Sequence, residues 1–531
     1  MLQSSFSLQH ALAWLGILLG GGVFYVFAII TYRIFFHPLA KYPGPLIAKV
    51  TDAYQLYYAW RGDRHLQFYR LHQKYGKIIR FGPNSLSFST SQSLQDIYGF
   101  KTNVRKSEFY DSFAHPVHNT HNTRDKGVHA RKRRVLSHAF SESAMKDMQR
   151  FILNNVRLFC EALGVEDGGA DSKGWTQPRQ MNDWCNYLAI DVLGDLCYGK
   201  SFRMLESADN RFALDLVEAA TTRHLVCGTM PIVNSLKLDK YMFPALAAGR
   251  ARFMAYSKAQ LTERTKLGED ADRRDFFWYL LKARDPETGE GFTTPELWAE
   301  SNLLIIAGSD TTSTAMAATL FYLTRNPAAM KKVTEEIRGK FNDVEEIVQG
   351  PALSSCTYLK ACIDEAMRMS PSVGGIPPRE VMAGGATIDG EVLPEGTVVG
   401  TAHYNIHHNE TYYPQSFTYA PERWVAGDMN PITGKPTTKE EVERAHSAFV
   451  AWSLGPRGCI GKAMAYVEMT LSLGRAIYLY DMRRAVGVKD ISEGHPDLEF
   501  GRHRVNEFQL RDIFTSGKCG PLVEFRRAQR D

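Results

Sequence analysis

One cysteine, Cys459, lies in a segment whose residue types suit a metal-binding thiolate. The segment covers residues 452–465 and reads WSLGPRGCIGKAMA. Glycines on both sides, among them Gly455 and Gly461, let the backbone approach a flat ligand closely. The residues that follow predict a helix, which places Cys459 at a helix N-terminus, where backbone N–H groups and the helix dipole stabilise a thiolate. Arg457 adds a positive charge nearby, and the thiolate is the form of cysteine that binds a metal ion.

A second group of chemically capable residues interrupts a long apolar helix. Thr293 and Glu296 form a capping box, and the apolar periodicity after them predicts a helix of about 30 residues. Its centre, residues 308–314, reads GSDTTST, and burying such polar groups is costly. Asp310 and Thr311 place an acid beside a hydroxyl, which suits the relay of protons. The alternative is that Thr311 bonds only to the carbonyl one turn back.

A basic run at residues 129–134, HARKRR, predicts one face of a further helix. The residues at i, i+4, i+7 and i+11, which share an inward face, are His129, Arg133, Leu136 and Phe140. Arg131, Lys132 and Arg134 point away from that face, toward solvent or an acidic partner protein. The formal net charge is only +5, so the chain lacks the field that attracts nucleic acid, and we expect no nucleic-acid partner.

Glu365 and Arg368 are three residues apart, so a helix would place their carboxylate and guanidinium on one face. Taken alone, such a pair is usually solvated at the surface. The composition as a whole, 44% hydrophobic and 23% charged, is that of a globular protein, and the mean hydropathy of −0.28 excludes a polytopic membrane protein. Eight cysteines without a C-x-x-C pair argue against both a zinc site and a disulfide framework.

Together these motifs, in their order along the chain, resemble those of the cytochrome P450 family. Residues 452–461 match the family's F-x-x-G-x-R-x-C-x-G signature, with Trp452 in place of Phe. Residues 307–312, AGSDTT, resemble its oxygen-activating segment, and residues 365–368 and 421–424, EAMR and PERW, resemble its E-x-x-R and P-E-R-F/W motifs. The resemblance implies an α+β protein, mainly helical with a small β portion, of the cytochrome P450 fold and preceded by one N-terminal transmembrane helix.

The resemblance also implies roles for individual residues. Cys459 would bind the iron of haem b as its axial ligand, and Asp310 and Thr311 would be the catalytic residues for O₂ activation. The residues implied to hold the haem are Gly455 and Gly461 and, at its propionates, Arg133, Arg379, Arg457 and His129, the last in the position of a family tryptophan. The residues implied to form a structural network beside it are Glu365, Arg368 and Arg423.

Residues 11–30 form an uncharged apolar run, ALAWLGILLGGGVFYVFAII. At ~1.5 Å per residue, a helix of this length spans roughly 30 Å, the thickness of a bilayer core. Lys and Arg follow the run and none precedes it, so the positive-inside rule places the rest of the chain in the cytosol. A buried core helix is the alternative. We predict a membrane anchor at residues 1–36, a Pro-rich hinge at 37–45 and a haem-binding catalytic domain at 46–531.

The function that the resemblance implies is that of a haem-thiolate monooxygenase in the endoplasmic reticulum membrane. It would insert one oxygen atom from O₂ into an apolar small molecule by hydroxylation or epoxidation, with electrons that a separate NADPH–cytochrome P450 reductase takes from NADPH. The hinge is similar to that of fungal members, including benzoate 4-monooxygenase-like ones, many of which tailor secondary metabolites. We therefore expect tailoring of a secondary metabolite, with an aromatic hydroxylation of the benzoate 4-hydroxylase type as the alternative. A haem-thiolate isomerase or dehydratase is a further alternative, which the Asp310–Thr311 pair disfavours. A non-catalytic, membrane-tethered binding protein is another, and it is disfavoured because Cys459, Glu365, Arg368 and Thr311 are all present.

The stretches that line the substrate pocket in this family correspond here to residues 103–122, 215–229 and 372–376. The third of these, SVGGI, carries no charged residue. An uncharged wall favours an apolar substrate.

Overall fold

The computed structural model describes residues 2–113, 117–164, 174–268 and 273–529. Within these ranges the α-helices are α1 (Leu2–Thr31), α2 (Leu46–Val50), α3 (Ala53–Arg61), α4 (Arg64–Tyr75), α5 (Ser91–Tyr98), α6 (Lys126–Ser137), α7 (Glu142–Leu163), α8 (Met181–Tyr198), α9 (Phe212–Thr229), α10 (Pro231–Ser235), α11 (Asp239–Met242), α12 (Pro244–Lys266), α13 (Phe276–Lys282), α14 (Thr294–Arg325), α15 (Pro327–Lys340), α16 (Pro351–Ser354), α17 (Thr357–Met369), α18 (His403–His407), α19 (Lys439–Ala448) and α20 (Lys462–Leu479). A π-helical turn, Tyr32–Phe36, follows α1.

Short strands and 3₁₀ turns connect the helices. The strands are β1 (Ile78–Gly82), β2 (Ser85–Phe88), β3 (Val104–Lys106), β4 (Arg179–Gln180), β5 (Arg379–Val381), β6 (Ala386–Ile388), β7 (Glu391–Leu393), β8 (Val398–Gly400), β9 (Met429–Asn430), β10 (Lys435–Pro436), β11 (Tyr480–Arg484), β12 (Leu510–Ile513), β13 (Thr515–Lys518) and β14 (Leu522–Arg527). The 3₁₀ turns are Glu108–Phe113, His138–Phe140, Val344–Glu346, Pro421–Trp424 and Gly455–Arg457. The predicted mainly helical fold with a small β portion is confirmed.

Two of the sheets bear on the site. The larger has the strand order β1-β2-β8-β5-β3, in which β2 and β8 are parallel and the other neighbours antiparallel. Its edge pairs Lys106 of β3 with Arg379 of β5, so two basic residues lie opposite each other. The second is the hairpin β12–β13, which turns at Phe514 and pairs Leu510 with Lys518.

Helix α14 runs through the main core. It begins after Thr293, whose side chain and that of Glu296 complete the predicted capping box, and it ends at Arg325, as predicted. Residues 312–323 are all buried, because α7, α8, α17 and α20 supply the hydrophobic cluster around this part of the helix. A helix that is buried on every side can position a polar segment with little freedom.

The N-terminal apolar helix stands apart from this core. Residues from Gln9 to Phe36 are long and apolar enough to cross a membrane, with a mean hydropathy of 2.2, and none of the most apolar window is buried inside the protein. The alternative of a buried core helix is therefore wrong.

Candidate active site

The loop before α20 is fixed by backbone contacts. The Cys459 N–H donates to the Trp452 carbonyl oxygen at 2.8 Å, which closes the loop on itself. Gly455 has a φ of +60°, and a Cβ at this position would lie 2.2 Å from the Tyr98 carbonyl oxygen. Only glycine combines this conformation with so close an approach, so Gly455 seats the loop against the end of α5.

The Cys459 sulfur is accessible, although its surroundings are largely protein. Helix α20 begins at Lys462 with Gly461 as its N-cap, so Cys459 lies two residues before the cap. Burial raises the pKa of the Cys459 thiol, and hydrogen bonds from the N–H groups of Gly461 and Lys462 offset only part of that effect. The stabilisation of a free thiolate expected from the helix N-terminus is therefore outweighed by desolvation, and a bound metal ion would have to displace the proton.

Buried and partly buried basic residues from three elements and from the loop itself form a cluster here. They are Lys106 on β3, His129 and Arg133 on α6, Arg379 on β5, and Arg457 in the loop itself. Burial, together with Arg379 and Arg457, holds the pKa of Lys106 well below its usual value. Burial and the neighbouring charges lower the pKa of Arg457 to about 10 and that of His129 to about 3. Burial is the first cause of each shift, so the cluster holds positive charge away from water, and His129 contributes a neutral ring.

The individual contacts of this cluster leave donors free. Arg133 donates to the Gly458 carbonyl oxygen at 2.8 Å, and Arg379 donates to the Pro378 carbonyl oxygen at 3.1 Å. The Nη1 atom of Arg457 is buried and has no hydrogen-bond partner among the described residues. Unpaired buried charge is costly, so the cluster suits a ligand that carries carboxylates.

Lys106 has no counterpart in the sequence-based set of site residues. It lies on a strand of three residues, outside every sequence motif. What places Lys106 at the site is the pairing of this strand with β5, where it lies opposite Arg379. Its ammonium donates to the His121 carbonyl oxygen and lies 4.0 Å from the centre of the Tyr110 ring.

On α14, Thr311 and Asp310 point to different surroundings. The Thr311 hydroxyl donates to the Ala307 carbonyl oxygen at 2.8 Å, which is the backbone bond considered as the alternative role of this residue. Ala307 is exposed, although α14 is buried from residue 312 to residue 323, so open space adjoins this turn, and the hydroxyl oxygen keeps its capacity to accept a hydrogen bond there. Asp310 instead lies 3.3 Å from the ammonium of Lys518 on β13.

Comparison with known proteins decides what this arrangement is. A family model described as Cytochrome P450 matches residues 42–506. The chain belongs to the cytochrome P450 family. The resemblance drawn from the sequence motifs is thereby confirmed.

Similar proteins are fungal P450 monooxygenases. The cytochrome P450 monooxygenase AKT7 of Alternaria alternata is 38% identical over 505 residues, which cover 95% of this chain and 96% of the relative. The cytochrome P450 monooxygenase poxM of Penicillium oxalicum is 38% identical and covers 96% of this chain and 94% of the relative. A third, apf7 of Gibberella fujikuroi, is 38% identical over 96% of this chain and 98% of its own length. This chain is a cytochrome P450 monooxygenase, and the family implies a haem-thiolate centre, O₂ and a redox partner.

The described residues fit a haem. Its two propionate carboxylates match the buried, unpaired cations of the basic cluster, and the accessible Cys459 sulfur matches an iron ligand. A Cβ at Gly461 would lie 4.0 Å from that sulfur and 3.9 Å from the Phe140 ring. Gly461 therefore lies directly beside the sulfur, between Cys459 and the Phe140 ring.

The Glu365 carboxylate lies at the centre of a buried network in this P450. Arg368 donates to its two oxygens at 2.8 and 2.9 Å, and Arg423 donates at 3.2 Å. The Ala420 N–H and the Trp424 indole N–H complete its shell. Glu365 and Arg368 are fully buried. The alternative that they form a solvated pair at the surface is therefore wrong.

The basic residues of α6 outside the inward face are engaged within the chain. Arg131 and Lys132 both pair with Glu296 on α14, and Arg134 pairs with Asp285. Lys132 is buried, so the expectation that it points outward is wrong. Helical periodicity could not show this, because the carboxylates lie more than 150 residues away along the chain.

An aromatic cluster joins two of the predicted pocket stretches to the hairpin turn. Phe113 stacks on His224 with ring centres 4.3 Å apart and meets the edge of Phe514 at 4.9 Å. Residues 114–116 of the first stretch lie outside the described residues. Beside the third stretch, the ion pair of Arg64 and Asp512 packs against Gly375, so charge does lie next to this uncharged segment.

Proposed function

We propose that this P450 inserts one oxygen atom from O₂ into an apolar small molecule, by hydroxylation or epoxidation, as a tailoring step on a fungal secondary metabolite. Electrons come from NADPH through a separate reductase. The observation that carries the proposal is the accessible Cys459 sulfur beside a set of buried cations that lack an anion. The relatives of this chain are P450 monooxygenases of filamentous fungi, which supports the same reading.

The residues that would hold haem b come from four parts of the chain. Cys459 would bind the iron, and Gly455 and Gly461 would give the loop its shape. Arg133, Arg379 and Arg457 would pair with the propionates, and the neutral His129 ring would add a hydrogen bond. Lys106 joins this set, since it shares the charge environment of Arg379 and Arg457.

Bound haem supplies the redox chemistry of O₂ reduction and oxygen insertion. The part of this chain is to deliver protons and to exclude water. The Thr311 O–H donates to the Ala307 carbonyl oxygen, and the hydroxyl oxygen accepts a further hydrogen bond on the open side of α14. Asp310, one residue before it, exchanges protons with solvent and passes them toward Thr311, in the role of a positioned general acid. An isomerase or dehydratase would need no such pair.

The network of Glu365, Arg368 and Arg423 acts on the site through the backbone. Arg368 also donates to the carbonyl oxygens of His407 and Ser416, so it ties α17 to the end of α18 and to the segment that follows it. We assign these three residues a structural role and no contact with substrate.

An apolar substrate suits the rings around Phe113. Aromatic side chains gain most from burying apolar surface, and the neighbouring cation, Arg64, is neutralised by Asp512. A free carboxylate substrate of the benzoate type would require an unpaired cation in this wall.

The N-terminal helix anchors the enzyme in the endoplasmic reticulum membrane as a single span, with residues 37–45 as the hinge and residues 46–531 as the cytosolic haem domain. The exposed side chains Phe35, Phe36, Leu46 and Ile47 support contact between the start of the body and the lipid surface.

The test is the absorption spectrum of the reduced, carbon monoxide-bound protein. Wild type should show the red-shifted band that a thiolate ligand causes, and Cys459→Ala should lose it. Cys519→Ala, which removes the half-buried thiol far along the chain, serves as the matched control and should keep the band. A Cys459→Ala variant that retains both haem and the band would refute the ligand assignment.

A further inference from the structure

Helix α18 contributes a histidine, His407, whose ring lies against the segment that leads into the Cys459 loop. All five residues of α18 are buried, and His407 is 0% exposed. Its ring stacks on that of Phe449, with ring centres 5.5 Å apart and 21° between the planes. Phe449 and Val450 connect the end of α19 with Trp452, where the loop begins. The imidazole is therefore in contact with the chain from which the loop extends.

The ring holds this segment by a hydrogen bond. The Val450 N–H donates to Nε2 of His407 at 3.0 Å, and both residues are fully buried. The Val450 carbonyl oxygen in turn accepts from the Ser453 N–H at 2.9 Å. Two residues further on, the Trp452 carbonyl oxygen accepts from the Cys459 N–H at 2.8 Å. The peptide groups on both sides of Val450 are thus fixed close to the carbonyl that closes the Cys459 loop.

The backbone of His407 is fixed as well as its ring. Arg368 on α17 donates to the His407 carbonyl oxygen at 2.8 Å, and the same guanidinium is paired with Glu365. His407 therefore joins the buried Glu365 network to the start of the Cys459 loop. This connection involves a residue that lies outside every sequence motif.

The hydrogen bond to Val450 requires a neutral imidazole. An accepting Nε2 carries no hydrogen, so the ring has its hydrogen on Nδ1, which is buried and has no hydrogen-bond partner among the described residues. A second proton would go to Nε2, where it would meet the Val450 N–H and remove the bond. Burial, and then the charges of His403, Arg368 and His408, hold the pKa of His407 well below its ordinary value.

The groups around the ring offer no compensation for a positive charge on it. The titratable and charged residues that face the ring are His403 and His408 on α18, Arg368 on α17, and Tyr413 after α18. The segment that packs on the other side supplies Phe449 and Val450, which have no ionisable side chain. The nearest carboxylate of the network, Glu365, is already bonded to Arg368. A charged ring would therefore be buried without a counter-charge, which is costly.

We propose that neutral His407 is a positioning residue that holds the start of the Cys459 loop, and that its protonation releases this loop together with the haem. The inference rests on the proposed function in one respect, since it takes this loop to be the one that holds haem. The buried ring takes up a proton only after the segment opens, where it has the ordinary pKa of ~6.5. The closed loop is therefore fully stable above this pH and loses stability as the pH falls below it.

The experiment follows haem transfer from the full-length, haem-loaded protein to apomyoglobin. His407→Gln is the informative variant, because its amide oxygen can accept from the Val450 N–H but its side chain cannot titrate. At about pH 7.5 it should transfer haem within about threefold of the wild-type rate, since the hydrogen bond is kept. At about pH 5.5 the wild type should be about tenfold faster than His407→Gln, because one proton with a pKa of ~6.5 favours the open form by that factor.

Two further variants separate the hydrogen bond from the shape of the side chain. His407→Phe keeps a ring that can stack on Phe449 but offers no acceptor, so the Val450 N–H is left buried and unpaired. It should transfer haem about tenfold faster than the wild type at about pH 7.5, and its pH dependence should be that of His407→Gln. His495→Gln, at a histidine whose side chain is 64% exposed, is the matched control and should follow the wild type at both pH values.

Hydrogen exchange of the Val450 amide tests the bond directly. Mass spectrometry of the peptide that contains it should show wild-type protection in His407→Gln and lost protection in His407→Phe. Equal pH dependence of haem transfer in the wild type and His407→Gln, or unchanged protection in His407→Phe, would overturn the role of His407. If His407→Phe does not fold, the pH profile of His407→Gln still decides. Absence of the carbon monoxide band in the wild type would instead overturn the proposed function, so the two failures are distinguishable.

Discussion

Replacement of Glu365 by Gln tests whether the buried network stabilises the fold. The carboxylate accepts five hydrogen bonds: two from Arg368 and one each from Ala420, Arg423 and Trp424. The amide of the Glu365→Gln variant would keep one acceptor oxygen, but its NH₂ group would face N–H donors that now bond to the second carboxylate oxygen. It also leaves the guanidinium of Arg368, fully buried, and that of Arg423, 6% exposed, without their counter-charge.

The expected cost follows from the burial of both partners. Removing one partner of a buried ion pair destabilises a protein by about 3–5 kcal/mol, because the remaining charge is uncompensated. An exposed pair with the same spacing is the matched control. Glu206 and Arg203 are also three residues apart and in contact at 3.1 Å, but their side chains are 44% and 64% exposed. Glu206→Gln should therefore cost about 1 kcal/mol or less.

The assay is urea denaturation of the full-length protein in detergent, followed by tryptophan fluorescence and by haem absorbance. A loss below about 1 kcal/mol for Glu365→Gln, equal to that of Glu206→Gln, would refute the reasoning.

The pH dependence of the same measurement gives a second check. Desolvation raises the pKa of the Glu365 carboxyl, but Arg368 and Arg423 outweigh it and hold the pKa below its ordinary value. A carboxyl with a lowered folded pKa contributes stability above its unfolded pKa and loses that contribution as the pH falls. The difference between wild type and Glu365→Gln should therefore shrink below about pH 4.3.

Three further predictions concern the haem side and the membrane. Thr311→Ala should keep haem and substrate binding but divert NADPH electrons to hydrogen peroxide, and Asp310→Asn should slow turnover; unchanged product per NADPH in Thr311→Ala would contradict its role. Lys106→Met should speed haem transfer to apomyoglobin about tenfold, which corresponds to the loss of one charge-assisted hydrogen bond, whereas Lys126→Met, at an exposed lysine, should not. Removal of residues 1–36 should leave haem binding intact and weaken membrane association, and protease added to sealed microsomes should digest the body; protection would contradict the cytosolic orientation.

Local features of the site could be predicted from the sequence. The start of α14 at Thr293 follows from a capping box, whose hydrogen bonds join residues three apart. Gly455 was expected to let the backbone approach a flat ligand; the structure shows that its positive φ and its close approach to the Tyr98 carbonyl oxygen require glycine there, and its contact with a ligand stays a prediction. The apolar N-terminal helix could likewise be predicted from length and composition alone.

Local sequence patterns could not predict which charged residues pair with each other. Lys132 was expected to point outward and is buried against Glu296, because that carboxylate lies on another helix. Cys459 was expected to gain a stabilised thiolate from the helix N-terminus, but the pKa of its thiol is raised, since desolvation depends on all the surrounding chain.

The sequence by itself determined the family, the candidate iron ligand, the polar interruption of α14 and the apolar N-terminal helix, because each depends on residues that are close together along the chain. Only the tertiary structure decided which charges meet. Lys106 reaches Arg379 through strand pairing, and Lys518 reaches Asp310 across 208 residues. Such contacts depend on how separate elements pack, and the energy that selects them is the cost of leaving a buried charge without a partner.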